Sequence, residues 1–598
     1  MRSMLISRRD LDFLLYDWLL IEELPKRERF AEHSRETFDA VLELCEQLAT
    51  RFFANHNKKS DAHEPTFDGK VVSVIPEVKQ ALDAVAAADV IAMAMDEGLG
   101  GAQLPVAVAQ AAYAWFAAAN VSTAGYLMLT MANANLLATF GTAEQIETFV
   151  KPMLAGRFSG TMALSETQAG SSLADITTRA EPQPDGSYRL FGSKMWISGA
   201  EHEMTENIVN LVLAKIPGGP PGTKGISLFI VPKYLIGDGG RIGPRNDIVL
   251  VGLNHKMGQR GITNTVLNFG DGSFQSGGEP GAVGYLVGEA HRGLAYMFTM
   301  MNEARLGVGM GAVALGYTGY LKSLEYARQR PQGRPATSKD PAAAQIPIIE
   351  HADVRRMLLA QKAYVEGGLG LLLYCAKLVD LQHSAESDDE RDTAQMLLDI
   401  LTPVAKSWPS QWCLAANDLA IQVHGGYGYS REYDVEQHYR DNRLNPIHEG
   451  THGIQSLDLL GRKVTHRDGA NLHALDQVIV ATVAAARRSG GEPAADGDLL
   501  ESSWQRLVGV TAAMFAAGDI ESAMANSALY LEAFGHIVIA WIWLEQLLAA
   551  EGRAGDFYDG KRQAARFFFR YELPKVAPQL DLLESLDRTT LEMRESWF

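Results

Sequence analysis

The 598-residue sequence predicts an α+β protein whose helical and β segments are segregated along the chain. Three observations carry this. Apolar residues recur at three-to-four spacing over residues 1–157 and again from about 288 onward. Between 158 and 287, Gly and Pro punctuate short β-branched and aromatic runs: SYRLFGSKMWISG, NIVNLVLAKI, GISLFIVPKYL and NTVLNF. Strand and helix signals do not alternate, which disfavours a doubly wound dinucleotide fold. The expected organisation is a helical N-terminal domain with a short extension (1–157), a β domain (158–287), a helical domain (288–470) and an extra helical C-terminal domain (471–598).

The first stretch, MRSMLISRRDLDFLLYDWLLIEEL, reads as an amphipathic helix packed on the body. Asp10 and Asp17 interrupt its apolar run and no small-residue cleavage pattern follows, so it is not read as a signal peptide. Phe38–Phe53 and Val78–Met95 carry the clearest helical periodicity of this zone. Residues 98–143 contain no Asp, Glu, Lys or Arg, yet Asn, Gln, Ser, Thr and Gly break the run short of the ~18 apolar residues of a membrane span. Buried helices are expected there, and Ile537–Leu544 is expected on the inner face of a core helix. Leu294–Gln329 and Val354–Leu381 predict long helices. The Pro-rich PQGRPATSKDPAAAQIP, the acidic SAESDDERD and the later RRSGGEPAADGD read as loops or linkers.

Hydrophobic residues make up 47% and charged residues 21%, which excludes a disordered chain. Lys and Arg number 54 against 72 Asp and Glu, a net charge of −18. That field disfavours nucleic acid and anionic membrane as main partners, while leaving room for a local basic pocket for a phosphorylated ligand. Cys45, Cys375 and Cys413 are far apart and form no disulfide framework or metal motif, which suits a reducing cytoplasm.

Two motifs invite misreading. Gly309-Met-Gly311-Ala-Val-Ala314 matches a dinucleotide fingerprint, but it lies inside a helical pattern with no strand before it. Small residues that let two helices approach closely explain it better. His448-Glu449-Gly450-Thr451-His452 matches the HExxH of zinc peptidases. Pro446 and Gly450 disfavour the helix that motif needs, and the sequence offers no third ligand downstream.

The chemistry-bearing stretches lie elsewhere. Met162-Ala-Leu-Ser-Glu-Thr-Gln-Ala-Gly170-Ser171-Ser172 ends a strand in groups able to bond a flat polar ring or a phosphate, although a plain turn would look the same. Gly192-Ser-Lys-Met-Trp196-Ile197-Ser198 is a second strand whose alternation puts Trp196 and Ser198 on one face, for stacking plus one edge hydrogen bond. A core Trp is the alternative. Gln422-Val-His-Gly425-Gly426-Tyr427-Gly428 allows close backbone approach to a ligand or a tight helix end. Glu449, on a loop before a helix, suits a general base or a helix-start acid.

Taken together in this order and spacing, over roughly residues 35–465, these stretches resemble the acyl-CoA dehydrogenase family. The carriers are Ser-Glu-x-x-Ala-Gly-Ser, Trp-Ile-Ser, Gln-x-x-Gly-Gly-x-Gly and Glu-Gly-Thr. The segment GAEHEMTENIV and the length resemble its extended subgroup, which includes 3-methylmercaptopropionyl-CoA dehydrogenases. The resemblance implies a helical domain, a β-barrel-like domain and a four-helix bundle, with FAD between them and a further helical domain at the C-terminus. Leu164 and Ser165 with Trp196 and Ser198 would line the flavin ring, and Gly170 would also bind the cofactor. Ser171 would contact the pantetheine arm, Arg305 would lie beside the CoA, and Gly450 would touch substrate. Arg330, Gln422, Gly425 and Gly426 would serve FAD held mainly by a neighbouring subunit, which implies a homodimer. Thr451 would reach the FAD phosphates or ribityl chain.

The same resemblance makes Glu449 the base that removes the α proton of an acyl-CoA thioester while the β hydrogen leaves as hydride. The product is a trans-2-enoyl-CoA, as in fatty-acid β-oxidation, and electron-transfer flavoprotein is the expected acceptor. The donors polarising the thioester would be the base's own N–H and a ribityl hydroxyl. Desolvation by the acyl chain is expected to raise the pKa of Glu449. Three positions depart from the family pattern: His448 replaces an aromatic, Thr167 a Pro and Ser172 an Asp. The competing readings are an acyl-CoA oxidase using oxygen, a non-catalytic flavin-binding protein, and the zinc peptidase.

Overall fold

The computed structural model describes residues 3–275, 278–338, 340 and 342–598. Its helices of seven residues or more are α1 (Arg35–Leu48), α2 (Pro76–Ala87), α3 (Val106–Phe140), α4 (Gly293–Gln329), α5 (Ala352–His383), α6 (Asp388–His424), α7 (Val435–Asn442), α8 (His452–Asp458), α9 (Ala470–Ser489), α10 (Gly491–Ala516), α11 (Ser527–Ala549), α12 (Asp556–Phe567) and α13 (Val576–Glu584). The strands are β1 (Thr66–Phe67), β2 (Val72–Ser73), β3 (Phe158–Ala163), β4 (Arg179–Pro182), β5 (Tyr188–Ser198), β6 (Asn207–Lys215), β7 (Ile226–Pro232), β8 (Tyr234–Gly237), β9 (Arg241–Arg245), β10 (Ile248–Leu253), β11 (Asn264–Phe269) and β12 (Ala282–Leu286). Helical, β and helical segments follow one another as the sequence predicts. The chain folds into two compact units. One holds Met1–Arg35, Pro105–Ala114 and Val308–Phe598, and the other Glu36–Leu104 and Trp115–Gly307.

In the second unit the strand order of the main sheet is β10-β11-β5-β12-β7-β6-β3, with β4 joining both β5 and β6. β5, β12, β7, β6 and β4 therefore close a circuit, giving a small barrel. Neighbours are antiparallel except β3 with β6 and the single β4–β6 pair. β6 and β7 are buried almost throughout, which is why their sequences read as continuous apolar runs. Leu190, Val212, Phe229, Val231, Leu267 and Phe269 fill the core. The helix expected over Val78–Met95 stops at Ala87, where Asp89 takes a left-handed φ of 52° and turns the chain.

In the first unit, residues 8–18 are helical, and Leu11, Phe13, Leu14 and Leu15 are fully buried. Arg8, Arg9 and Asp12 keep a solvent-facing polar side, so the segment is the amphipathic helix packed on the body that the sequence predicts. Even Asp10 is buried: it pairs with Lys561 and accepts the Tyr317 hydroxyl proton at 2.9 Å, while Lys561 reaches Glu366 at 2.9 Å. The Gly309–Ala314 motif lies within α4. A Cβ added to Gly309 would sit 2.2 Å from the Ala405 carbonyl oxygen of α6, and one added to Gly316 2.8 Å from Cys413 Cβ. Close helix contact, not dinucleotide binding, accounts for these glycines.

Two expected loops are corrected. Only Gly490, with φ 77°, separates α9 from α10, so RRSGGEPAADGD is helical on both sides of a sharp turn, and Glu492 in α10 pairs with Arg566. SAESDDERD is largely the start of α6: Ser387 Oγ accepts the Glu390 N–H, and the acids occupy the first turn, where the helix dipole favours them. Ile537–Leu544 lies in the longer α11. By length and composition α11 could cross a membrane, yet 83% of its apolar window is buried inside the protein.

At the far end of α5, Asp380 is fully buried and accepts the N–H groups of Val106 (2.6 Å) and Ala107 (2.9 Å) at the start of α3. Burial pushes its carboxyl up to about 7, outweighing those bonds. A raised folded value means the native state keeps its proton longer than the unfolded chain. This group's contribution is therefore full below about pH 4 and is lost as pH rises towards 7. Melting temperatures from pH 4.5 to 7.5 should show that downward component in the wild type and its absence in Asp380→Asn. Gly309→Ala should cost about 2 kcal/mol or more in chemical denaturation, because backbone cannot yield to the added methyl.

Candidate active site

On β5 the alternation expected from Trp196 and Ser198 is interrupted. Met195 pairs with Val266 and Ile197 with Thr265, leaving Trp196 as the extra residue of a bulge, with φ of 65°. A bulge re-aims its side chain. Trp196 is 57% exposed, which rules out a core role, while Ser198 is half-buried and its Oγ accepts from Asn264 Nδ2 at 3.1 Å. Leu164 and Ser165 run beside this strand: the Ser165 carbonyl accepts the Met195 N–H at 3.0 Å, and the Leu164 carbonyl accepts from Lys194 Nζ at 2.9 Å. These four predicted residues are therefore brought together. Gly170 and Ser171 lie on an exposed turn further along, and space is open where a Gly170 side chain would be. Arg305 is buried within α4.

The residue that holds this corner together is the Glu of the Ser-Glu-x-x-Ala-Gly-Ser motif, to which the sequence alone assigns no role. Glu166 is buried and accepts from the amide and hydroxyl of Thr177, the amide and hydroxyl of Thr178, and Lys194 Nζ at 3.0 Å. Burial alone would raise its pKa, but Lys194 and the Thr bonds outweigh it and hold the carboxyl far below the usual carboxylate range. Lys194, fully enclosed, is pushed down to about 8 by burial against the pull of Glu166. Of the departures, Thr167 faces outward, and Ser172 donates to Asp175 at 2.5 Å.

In the other unit, α6 ends at Gly425, whose φ of 61° and ψ of −139° suit glycine. Space is open beside both Gly425 and Gly426, whereas a Cβ on Gly428 would strike the Ile421 carbonyl at 2.5 Å. Gln422 is in the last turn of α6. Arg330, just past α4, lies over the Tyr427 ring at 5.5 Å, which ties it to this turn. Tyr429 projects outward, 89% exposed.

Glu449, Gly450 and Thr451 form a second, separate loop of that unit. Glu449 has φ of 52° and Gly450 φ of 94°, so two left-handed residues follow one another, and Thr451 caps α8 through Ile454 N–H. This breaks the helix that an HExxH zinc motif requires, with His452 opening α8 and His448 outside it. The turn is held from three sides. Lys406, fully buried in α6, donates to the Asn445 carbonyl at 2.8 Å and the Gly450 carbonyl at 2.6 Å. Gln455 Nε2 donates to the Glu449 carbonyl at 3.0 Å. His448 Nε2 meets Asn445 Oδ1 at 3.0 Å. Burial, reinforced by Lys406 and Arg443, lowers His452 to about 4, so it is neutral at pH 7. A cavity of about 300 Å³ behind α8 is lined by Ser407, Trp408, Gln411, His452 and Glu532, and Glu449 is not part of its wall. The sequence does mark Lys406, as a lone cation in the apolar stretch Pro403-Val-Ala-Lys406-Ser-Trp.

Comparison with known proteins agrees with these motifs. Residues 36–157, 161–271 and 291–464 match the models for the acyl-CoA dehydrogenase N-terminal, middle and C-terminal domains. Residues 476–594 match the acetyl-CoA dehydrogenase C-terminal-like model. The chain is 37% identical to 3-methylmercaptopropionyl-CoA dehydrogenase of Ruegeria pomeroyi, over 80% of this chain and 81% of that one. It is 33% identical to the broad-specificity linear acyl-CoA dehydrogenase FadE5 of Mycobacterium tuberculosis, over 99% of both. Its fold is similar to that of the Bacillus anthracis acyl-CoA dehydrogenase solved with FAD, with TM-score 0.74, 18% identity and coverage of 94% and 90%.

Removing the charge at position 166 strands a buried ammonium. Glu166→Gln should lose about 3 kcal/mol of stability in denaturant titration. Adding Lys194→Met should restore part of that loss, which a purely steric defect would not allow.

Proposed function

Because the chain belongs to the acyl-CoA dehydrogenase family, and is accordingly an FAD-dependent oxidoreductase acting on acyl-CoA thioesters, we propose that Glu449 is its catalytic base. The observation that carries this is the loop geometry. A carboxylate that is only a helix-start acid needs no left-handed backbone and no buried lysine on its flanking carbonyls, whereas a base that must meet a C–H bond needs a fixed position. Glu449 takes the proton alpha to the thioester carbonyl, and its own N–H would be one donor to the carbonyl oxygen, lowering the cost of negative charge there. The product is the trans-2-enoyl-CoA.

The residues present fit FAD. Trp196 offers an exposed aromatic surface beside Leu164, Ser165 and Ser198, and open space remains at Gly170, Gly425 and Gly426 where side chains would obstruct a ligand. Leu164, Ser165, Gly170, Trp196 and Ser198 would hold it, Arg330, Gln422, Gly425 and Gly426 would serve FAD held mainly by a neighbouring subunit, and Thr451 would reach the FAD phosphates or ribityl chain; when bound, FAD supplies the hydride acceptor. Ser171, Arg305 and Gly450 are assigned to acyl-CoA. Exposed Tyr429 beside the glycine turn suits contact with a second copy, so a homodimer is part of this reading. Electron-transfer flavoprotein is the proposed acceptor. The four-part organisation at 157, 287 and 470 belongs to the same reading.

Purified protein should be yellow, and an anaerobic acyl-CoA should bleach it. A panel of chain lengths then ranks substrates, since each buried methylene contributes ~0.8 kcal/mol. Glu449→Gln should keep the colour and lose ~10²–10⁴ in bleaching rate. Full activity in that variant removes Glu449 from its role. Peroxide formed in air at the turnover rate would replace the dehydrogenase reading with an oxidase.

A further inference from the structure

Four side chains run in series from the interior of the helical unit to the residue beside the base. Asn417 Nδ2 donates to the Leu315 carbonyl at 2.9 Å. Asn442 Nδ2 donates to the Ala312 carbonyl at 3.1 Å and to Asn417 Oδ1 at 2.7 Å. Asn445 Nδ2 donates to Asn442 Oδ1 at 2.8 Å, and Asn445 Oδ1 faces His448 Nε2 at 3.0 Å. All three asparagines are buried.

The direction of this chain is fixed by its origin. A backbone carbonyl can only accept, so Asn417 and Asn442 must both turn their NH2 groups towards α4. With Asn442 so oriented, its oxygen faces Asn445, which must donate. Asn445 can then present only its oxygen to His448. The nitrogen meeting that oxygen must carry hydrogen, so His448 is protonated at Nε2 in its neutral and its charged form alike. The ring is thus set by two carbonyls of α4, through three amides.

We propose that His448 is a positioning residue for the proton-transfer step, acting through the hydrogen bond that its Nε2–H donates to Asn445 rather than through its charge. The inference rests on Glu449 being the base. Lys406 and Gln455 hold the carbonyls of the turn, and His448 is the residue immediately before the left-handed Glu449. Without the His448 anchor, the backbone entering Glu449 loses one of the side-chain bonds that set it. A strained φ persists only where its surroundings over-determine it. Such networks give up their effect when one member is removed.

The test separates proton removal from hydride transfer. 3,3-Dimethylbutanoyl-CoA has α hydrogens but no hydrogen on the β carbon, so its α exchange into D2O on the holoenzyme reads the base alone. Glu449→Gln should bring exchange to background. His448→Phe, which has no donor, should slow it about tenfold with FAD content, melting temperature and affinity for this thioester retained. His448→Gln, a neutral donor, should stay within about threefold of wild type. Asn445→Ala removes the acceptor while leaving the main-chain carbonyl for Lys406, and should match His448→Phe. That variant also decides the matter if His448→Phe fails to fold. Wild-type exchange in His448→Phe or Asn445→Ala, with Glu449→Gln inactive, overturns the positioning role and leaves the base in place. So does a loss in His448→Gln as large as in His448→Phe. Wild-type exchange in Glu449→Gln overturns the base assignment itself.

Discussion

The constraint on which the site depends is the left-handed backbone at Glu449. An L-residue other than Asn or Asp enters that region at a cost on the order of 1 kcal/mol, and here it is followed by glycine in the same region. Such a turn does not hold itself. It is kept by a buried ammonium on two carbonyls, an amide on a third, and a histidine bonded into an asparagine series. Lys406 is suited to this because its donors reach two carbonyls four residues or more apart in the chain, Asn445 and Gly450. The energy of desolvating a lysine is offset by its charge-assisted bonds to these two carbonyls.

The β unit solves a comparable problem by different means. Trp196 has to project from a strand whose neighbours are buried, and simple alternation does not deliver that. One inserted residue in the β5–β11 pairing does, turning an aromatic outward while Ile197 stays in the core. Beneath it the Glu166–Lys194 pair fastens the 164–178 segment to the strand. Here the ionic partners are enclosed together, and hydroxyl and amide donors satisfy the carboxylate oxygens, which is the condition under which a buried pair costs little.

What the sequence revealed follows the range of the forces involved. Segregated helical and β zones were legible because periodicity is a local property, and β5, β6, β7 and β11 lie where their runs predicted. The Gly309 motif could be assigned to helix packing because a fingerprint needs a strand ahead of it. Loop assignments failed where composition stood in for geometry: Gly490-Gly491 reads as a linker, yet two successive glycines with positive φ suffice to turn one helix into the next, and an acidic run reads as solvated when it begins one. Motif positions such as Glu449 could be read from order and spacing. The groups that hold them could not be placed there by spacing, because Lys406 reaches the Gly450 carbonyl from α6 and Asn417 acts on the loop only through Asn442 and Asn445.

The replacement of an aromatic by histidine at position 448 can now be understood together with its surroundings. An aromatic ring in that place would leave Asn445 Oδ1 without the Nε2–H donor, and with it the end of the asparagine series. Conversely, a histidine without Asn445 would lose the acceptor that its Nε2–H meets. The asparagines at 442 and 445 and the histidine at 448 therefore form one unit, spaced three apart so that successive side chains meet along the same face of the turn. A departure that looks like an isolated exchange in the sequence is, in the structure, the last link of a series that starts at two backbone carbonyls.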